Sequence, residues 1–473
     1  MKLIISNKLY VIDAISKVFL WCKKYLEFPN PEYAKKQQMG LWTGNIDSII
    51  VLWEKRGADA ILPYGVLSQF LDEFGAEIEI EDQSTPSVQR IDYHSKIKLF
   101  GYQEEALENV FRNGIIVMPC GSGKTQTALE LVSRLGLRTL WLTHTYELLK
   151  QSMDRAKGCF ELPETEYGTI TEGRISVGKA ITFATVQTMC KMDLSPYSNY
   201  WDVVIVDECH KAVGTPKRLM MFYKVVSGLN AYYKIGLTAT PKRNDGLERC
   251  MYALLGKQLS CIPDSAVAAN TVPVCVYQYE SNIYEPNLSN VLNTDGTLNY
   301  TSLITDMCSN VNRNKELSML INNINYSGLT CLVLSDRVEH LEILRNMVGK
   351  DYTEQIYSNT AKKVRKECID KLRSKEIRCL FATYQLAKEG LDIATLDYVV
   401  FATPKKDRIT VIQSCGRVGR KATNKYTGFV LDFVDSQFGL TQNWARIRKN
   451  FYKNKNFFTK VLKNTLLSCK NEL

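Results

Sequence analysis

A chain of 473 residues with 45% hydrophobic content is long enough for about three domains with packed cores, and its 60 basic against 50 acidic residues (net charge +10) favour an anionic partner without making a polycation. Fourteen cysteines run from Cys22 to Cys469 with no CxxC pair, which argues against a disulfide framework or structural zinc and for reduced thiols in a cytoplasmic compartment. Lys8, Asp13 and Lys17 interrupt the opening apolar stretch, so no signal-peptide core forms, and no later apolar run is long enough for a membrane span.

Residues 1 to about 90 read as a small module. Tyr10 to Tyr25 has helical spacing through Val11, Ile15, Val18, Phe19 and Cys22, and Ile49 to Trp53 reads as a strand. Between them, Asn30-Pro-Glu-Tyr33 punctuates the chain ahead of Lys35, Lys36 and Trp42. Lysines beside aromatics suit a surface that tracks a nucleic-acid backbone while rings stack, although a solvated face over a small core reads equally well. Glu77 to Asp82 alternates acids with Ile78 and Ile80 as a half-wet strand does, and residues 83–87 loosen into a linker.

From Lys98 the pattern changes to apolar strands alternating with amphipathic helices, which predicts an α/β fold of parallel sheets covered on both faces. The first set of strands is Ile115 to Val117, Thr139 to Leu142, Ile181 to Phe183, Val203 to Val206 and Lys234 to Leu237. Ligands in such sheets sit at the carboxyl ends of strands, and polar motifs occupy those ends here.

The first motif runs Pro119, Cys120, Gly121, Ser122, Gly123, Lys124 and Thr125, with Met118 standing where the general phosphate-loop pattern has a glycine. Its glycines let backbone N–H groups close around phosphate oxygens at a helix start; Lys124 is expected on the β and γ phosphates and the Thr125 hydroxyl on Mg²⁺. The second is Asp207-Glu208-Cys209-His210. Asp207 is expected to ligate Mg²⁺ and Glu208 to orient and deprotonate the attacking water. The third, Leu237-Thr-Ala-Thr-Pro241, offers hydroxyls on Thr238 and Thr240 that could link this site to movement elsewhere, though a plain turn has the same composition.

A second set of strands follows residue 270: Val272 to Tyr277, Cys331 to Leu334, Cys379 to Thr383, Tyr398 to Phe401 and Phe429 to Phe433. It lacks a phosphate loop but carries Gly390-Leu-Asp392 and the run from Gln413 to Arg420. Arg417 and Arg420, three apart, are expected on one helix face and aimed at one triphosphate; an arginine delivered from a second domain contributes roughly 10³ to 10⁵ in rate. From Thr441 the tail interleaves Arg446, Arg448, Lys449, Lys453, Lys455 and Lys460 with Trp444, Phe451, Tyr452 and Phe457, as an amphipathic helix would that packs on the second set of strands while touching phosphates. The expected domains are 1–90, a nucleic-acid-recognition module; 91–265 and 266–440, the two strand-helix units; and 441–473, a basic C-terminal helix.

Taken in order, Phe100-Gly-Tyr-Gln103, GSGKT, Trp141-Leu-Thr-His-Thr145, Phe183 to Thr188, DECH, TAT, Glu389-Gly-Leu-Asp392 and QSCGRVGR resemble the motifs of superfamily 2 helicases of the DExH type, from residue 98 to about 435. The run Gly236 to Gly246 is similar to the XPB and UvsW branch, and Asn30 to Tyr33 with Gly40 resembles a module of phage-type members. The resemblance implies two tandem RecA-like domains sharing ATP and Mg²⁺. It also implies that Gln103 reads adenine, that Gly390, Asp392, Gln413, Arg417 and Arg420 complete the nucleotide site, that Thr238 and Thr240 couple hydrolysis to domain closure, and that Thr143, Thr185 and Thr383 grip a nucleic-acid backbone. Ser414 stands where an arginine often follows the glutamine. The implied activity is that of a monomeric ATP-dependent DNA helicase or translocase remodelling branched DNA, in the host cytoplasm if viral. A transcript-release or RNA helicase, and an ATP-gated clamp that does not unwind, are the competing expectations.

Overall fold

Leu3, Ile5, Leu9 and Val11 are buried at every second position, and the computed structural model pairs them as an antiparallel hairpin of Lys2–Ile5 with Leu9–Ile12. It describes residues 1–84, 86–119, 121–243, 245–388 and 393–463, which divide into two compact units, Met1–Pro263 and Asp264–Leu473. The hairpin sits in a five-stranded sheet ordered Glu54–Arg56, Asp59–Leu62, Leu9–Ile12, Lys2–Ile5, Glu79–Asp82. Tyr10 to Ile12 is therefore strand, and the helix expected from Tyr10 begins at Ser16. Asp13 causes the split: it turns left-handed at φ 51, and its N–H donates to Asp59 Oδ1 at 2.9 Å. The helix Ser16–Leu26 then buries Val18, Trp21 and Cys22, with the Trp21 ring edge-on to Phe70 and Phe74.

The main sheet of the first unit is ordered Arg174–Ser176, Tyr167–Thr171, Ile181–Thr185, Thr139–Thr143, Val203–Asp207, Tyr233–Thr238, Asn113–Val117, Gln258–Cys261. All pairings but the first are parallel. Its central strands are buried at every position, the condition for which near-continuous apolar runs are selected in a sheet covered on both faces.

The N-terminal sheet is built onto this one. A shared apolar core joins Leu52, Trp53, Tyr64 and Leu67 to Cys250 and Ala253 of the helix Glu248–Leu255. Tyr64 Oη donates to the Tyr232 carbonyl at 2.8 Å and Asn7 Nδ2 to the Ser227 carbonyl at 2.6 Å. Arg112 pairs with Asp82 at 2.7 Å while its guanidinium lies 3.9 Å from the centre of the Tyr232 ring. Beside them Lys234 is fully buried, 4.3 Å above the Tyr64 ring, with Nζ donating to the Asn7 and Val226 carbonyls. Burial, followed by the Arg112 charge, lowers its pKa to about 7.

The second unit holds a seven-stranded parallel sheet ordered Thr353–Ile356, Cys379–Thr383, Cys331–Ser335, Tyr398–Phe401, Gly428–Asp435, Val274–Ser281, Phe458–Lys463. The tail differs from the single helix expected. A helix spans Gly439–Asn454, Asn456 turns left-handed at φ 53, and Phe458–Lys463 becomes the edge strand beside Val274–Ser281. Two of its cations are committed internally: Arg448 is buried on Asp432 at 2.7 Å, and Lys455 pairs with Asp264 at 2.8 Å. No helix among the described residues is long and apolar enough to cross a membrane.

Two measurements test this packing. A Cβ on Gly65 would lie 2.4 Å from the Ala253 carbonyl oxygen and 2.5 Å from the Gly256 nitrogen, backbone atoms that no rotamer change can move. Gly65→Ala should therefore cost about 1–3 kcal/mol of stability in urea unfolding. The Lys234 shift carries its own sign. Its folded pKa lies below the ordinary 10.5, so the unfolded chain binds more protons across that window; the cost of burying the charge is full below about pH 7 and fades as pH rises. Unfolding midpoints should climb between about pH 7 and 10, and K234M should flatten that climb.

Candidate nucleotide site and nucleic-acid edge

The strand Asn113–Val117 runs into Met118, which is buried and whose N–H donates to the Thr238 carbonyl at 3.0 Å. The residue that breaks the glycine pattern thus packs the base of the loop against the neighbouring strand. Beyond Pro119, Gly121 and Gly123 turn left-handed at φ 81 and φ 79, and the helix Lys124–Leu135 begins. Cys120 lies outside the described residues. Gln103 is 2% exposed, and its amide braces the loop with one hydrogen and one lone pair: Nε2 donates to the Ser122 carbonyl at 2.8 Å and Oε1 accepts the Phe100 N–H at 2.9 Å. Tyr102 Oη donates to the same carbonyl at 3.1 Å, and a Cβ on Gly123 would meet Gln103 Nε2 at 2.6 Å. Among the described residues Lys124 Nζ makes a long 3.4 Å contact with the Pro119 carbonyl, and Thr125 is half-buried in the first helical turn.

Parallel register sets the acids beside this loop. Asp207 ends its strand opposite Leu237, and Thr238 pairs with Val117, so three adjacent strand ends carry the loop, the acids and the TAT turn. Asp207 is 8% exposed; burial and the neighbouring Glu208 push its carboxyl up, with Lys124 opposing them. Glu208 is a non-glycine residue at φ 52, backbone strain of the kind held at functional positions. Burial would raise its pKa as well, but the His210 hydrogen bond and the His210, Lys124 and Lys211 charges hold it down. The His210 ring bridges the two motifs, with Nδ1 3.2 Å from Glu208 Oε2 and 3.1 Å from Thr238 Oγ1; Thr238 Oγ1 in turn accepts the Thr240 N–H at 3.1 Å.

This set fits a magnesium-bound triphosphate. Hard oxygens on Thr125 and Asp207 suit Mg²⁺, which keeps several waters and phosphate oxygens of its own. Ser122 Oγ and Thr240 Oγ1 are buried without a hydrogen-bond partner among the described residues, polar groups that oxygen-rich substrate atoms could satisfy.

A second line of contacts leads along the sheet away from the acids. Lys211 Nζ bonds His144 Nε2, and Gln187 Nε2 donates to the His144 carbonyl. Burial and the Lys211 charge lower the His144 pKa to about 3, keeping the ring neutral and able to accept. His144 and Gln187 flank Thr143 and Thr185, direct register partners on adjacent strands. Both threonines are buried and their hydroxyls close local turns: Thr143 Oγ1 donates to the Thr145 carbonyl at 3.0 Å, and Thr185 Oγ1 lies 3.0 Å from Thr188 Oγ1. They shape the strand ends through these turns. Sequence reasoning missed Lys211, Gln187 and Arg243, which donates to the His210 carbonyl, because each acts through a fold contact rather than a motif spacing.

In the second unit Thr383 is half-buried at its strand end opposite Ser335, with Oγ1 accepting the Leu386 N–H at 3.4 Å. The helix Arg408–Val418 carries Gln413, buried Ser414 and Arg417, whose Nη2 donates to the Ala387 carbonyl at 2.8 Å. Arg420 does not share that helix face. The helix stops at Gly419, and Arg420 makes a β-bridge with Thr271. Gly390 and Asp392 lie outside the described residues.

Residues 96–243 match the family model of the type III restriction enzyme res subunit, and residues 314–422 match the helicase conserved C-terminal domain. The chain belongs to the superfamily 2 helicases. It is 26% identical over 349 residues to the putative ATP-dependent RNA helicase L396 of Acanthamoeba polyphaga mimivirus, covering 73% of this chain and 64% of that one. It is 33% identical over 183 residues to the DNA 3'-5' translocase XPB2 of Sulfurisphaera tokodaii, covering 38% of this chain and 39% of that one. The chain thus spans less than two thirds of the length of either relative. Among solved structures, S. cerevisiae Dbp5 bound to RNA and ADP BeF3 aligns with a TM-score of 0.54 at 16% identity, over 79% of this chain and 91% of that one, a likeness of fold with two RecA-like domains.

The strained acid provides the sharpest check on this site. Glu208→Gln should preserve nucleotide binding and lower turnover by about 10²- to 10⁴-fold, read by titration with a fluorescent ATP analogue beside phosphate release. Equal turnover in both proteins would remove Glu208 from the chemistry.

Proposed function

We propose that the chain hydrolyses ATP to drive movement along duplex or branched DNA, remodelling forks or migrating branches. The observation that carries this reading is the shared sheet edge, where the phosphate loop and Asp207–Glu208 connect through Lys211 and His144 to the turns at Thr143 and Thr185. A change of charge at the acids alters the pull on His210 and Lys211, and those residues hold the turns that would face a nucleic-acid backbone.

In the proposed mechanism the Gly121–Gly123 amides and Lys124 hold the β and γ phosphates, while Gln103 keeps the loop closed and is the candidate adenine reader. Glu208 takes the proton of the attacking water. Thr125 and Asp207 would hold Mg²⁺, which would supply charge neutralisation to the phosphates. Thr238 and Thr240 pass the loss of the γ phosphate to the rest of the unit through His210. Arg417 and Arg420 are proposed to stabilise the developing charge, with Gln413, Gly390 and Asp392 in the same site, and Thr383 is proposed as a further backbone contact. The N-terminal module is assigned to recognition of branched DNA, the working form to a monomer, and its location to the cytoplasm, that of the host if viral.

An RNA helicase is the second reading, favoured by the description of the mimivirus relative. ATPase stimulation by single-stranded, duplex and branched DNA and by RNA separates the two, with the largest response expected from branched DNA. Strand displacement and Holliday-junction assays distinguish a motor from an ATP-gated clamp. Backbone contact predicts that log affinity falls with log salt at about 0.9 per duplex phosphate neutralised. An ATPase indifferent to every nucleic acid rejects the proposal. R417A and R420A should bind ATP as the parent does and release phosphate at least about 10³-fold more slowly.

A further inference from the structure

An exposed tryptophan of the N-terminal module stands on a loop built to present it. Trp42 is 86% exposed, with Leu41 and Met39 beside it at 55% and 60%. A tryptophan so exposed contributes little to the core, yet the loop around it is tightly specified. Asn30 caps the helix Pro31–Gln38 by accepting the Glu32 N–H at 3.0 Å, and the same residue closes the loop base, Nδ2 donating to the Asp47 carbonyl and its N–H to the Ser48 carbonyl, both at 2.9 Å. At the other end the Gly40 and Leu41 N–H groups return to the Gln37 and Lys36 carbonyls, and Gly40 turns left-handed at φ 64. Gly44, at φ 52, sits under the indole: a Cβ there would lie 2.9 Å from the ring. Two positive-φ glycines and a double asparagine latch hold a bare aromatic outward.

Its surroundings indicate what it meets. Residues 39–46 carry no charge, and the helix that launches them presents Lys35, exposed and without an ion pair among the described residues. Pro31, the first residue of that helix, packs on Gly246, where a Cβ would lie 3.3 Å from Pro31 Cγ. Gly246 belongs to the loop leaving the TAT turn. Arg243 of the same loop bonds Asp245 and donates to the His210 carbonyl. The Trp42 loop is thereby attached to the segment next to the acids.

Building on the proposed function, we propose that Trp42 stacks on an unpaired nucleobase at a DNA junction, with Lys35 on a flanking phosphate, and so acts as the module's strand-parting contact. A neutral aromatic tip on a loop launched by a helix that carries an exposed cation matches the two faces of a single strand, since every base offers a π-face and every linkage a charge. Insertion of an apolar ring beside a base step also favours the unstacked state found at branch points.

The test uses the full chain and a three-way DNA junction carrying 2-aminopurine at the branch. The wild type should change the probe's fluorescence on binding. W42A should abolish that change and weaken junction affinity about ten-fold, W42F should restore part of both, and the thermal midpoint should stay that of the wild type because the side chain is exposed. K35A should reduce the magnitude of the salt slope by about one phosphate. If W42A binds the junction and perturbs the probe as the wild type does, the inference is overturned, including the case in which the surface receives another protein. A wild type whose ATPase no nucleic acid stimulates would overturn the functional reading itself, a result distinguishable from failure of Trp42 alone.

Discussion

Parallel pairing of fully buried strands is the constraint on which the first unit depends. Hydrogen bonds between Val203–Asp207, Tyr233–Thr238 and Asn113–Val117 bring their carboxyl ends level, and each strand leads into a polar motif, Asn113–Val117 through the buried Met118. Main-chain pairing therefore assembles a site whose residues are far apart in sequence. Continuous burial along the strands penalises any unpaired charge within them, and Lys234, buried in its strand, is held there by the Asn7 and Val226 carbonyls.

That geometry crowds two carboxylates at Asp207 and Glu208 in surroundings that penalise both. The conflict is eased unequally, with Lys124 near the first and His210 and Lys211 near the second. An acid pair poised in this way responds to any change in nearby phosphate charge, and its partners are the groups that bond Thr238 and His144. Electrostatics at one strand end and turn geometry two strands away are physically continuous. The left-handed backbone at Glu208 is maintained because the neighbouring strand and the short helical turn Cys209–Lys211 fix both sides of it.

The N-terminal sheet shows how a small module acquires a fixed position. Its own core is limited, and it gains area by sharing the helix Glu248–Leu255 and by enclosing Arg112 and Lys234 between aromatic rings and carbonyls. Gly65 permits a close backbone approach to Ala253 and Gly256 in that seam. Side-chain cations buried there cost stability, offset by the Asp82 carboxylate and Ser84 hydroxyl that accept from Arg112 and by the Asn7 and Val226 carbonyls that accept from Lys234.

The alternating pattern of apolar strands and amphipathic helices made the α/β class legible, as did the strand-end position of the phosphate loop, of Asp207–Glu208 and of the TAT turn. These are local properties, set by burial and backbone chemistry within a few residues. Edge strands such as Arg174–Ser176, Gln258–Cys261 and Phe458–Lys463 were not legible, since one exposed side removes the apolar signal. Asp13 splits an apparent helix into a strand and a later helix, and Gly419 ends another, separating Arg420 from Arg417, through single backbone angles or stops that periodicity does not register. The sequence by itself determined which segments would be buried and which polar groups would emerge at their ends. Only tertiary structure decided that Gln103 braces the phosphate loop, that Lys211 meets His144 and that Pro31 rests on Gly246, because contacts between distant segments depend on register and packing that no local spacing encodes.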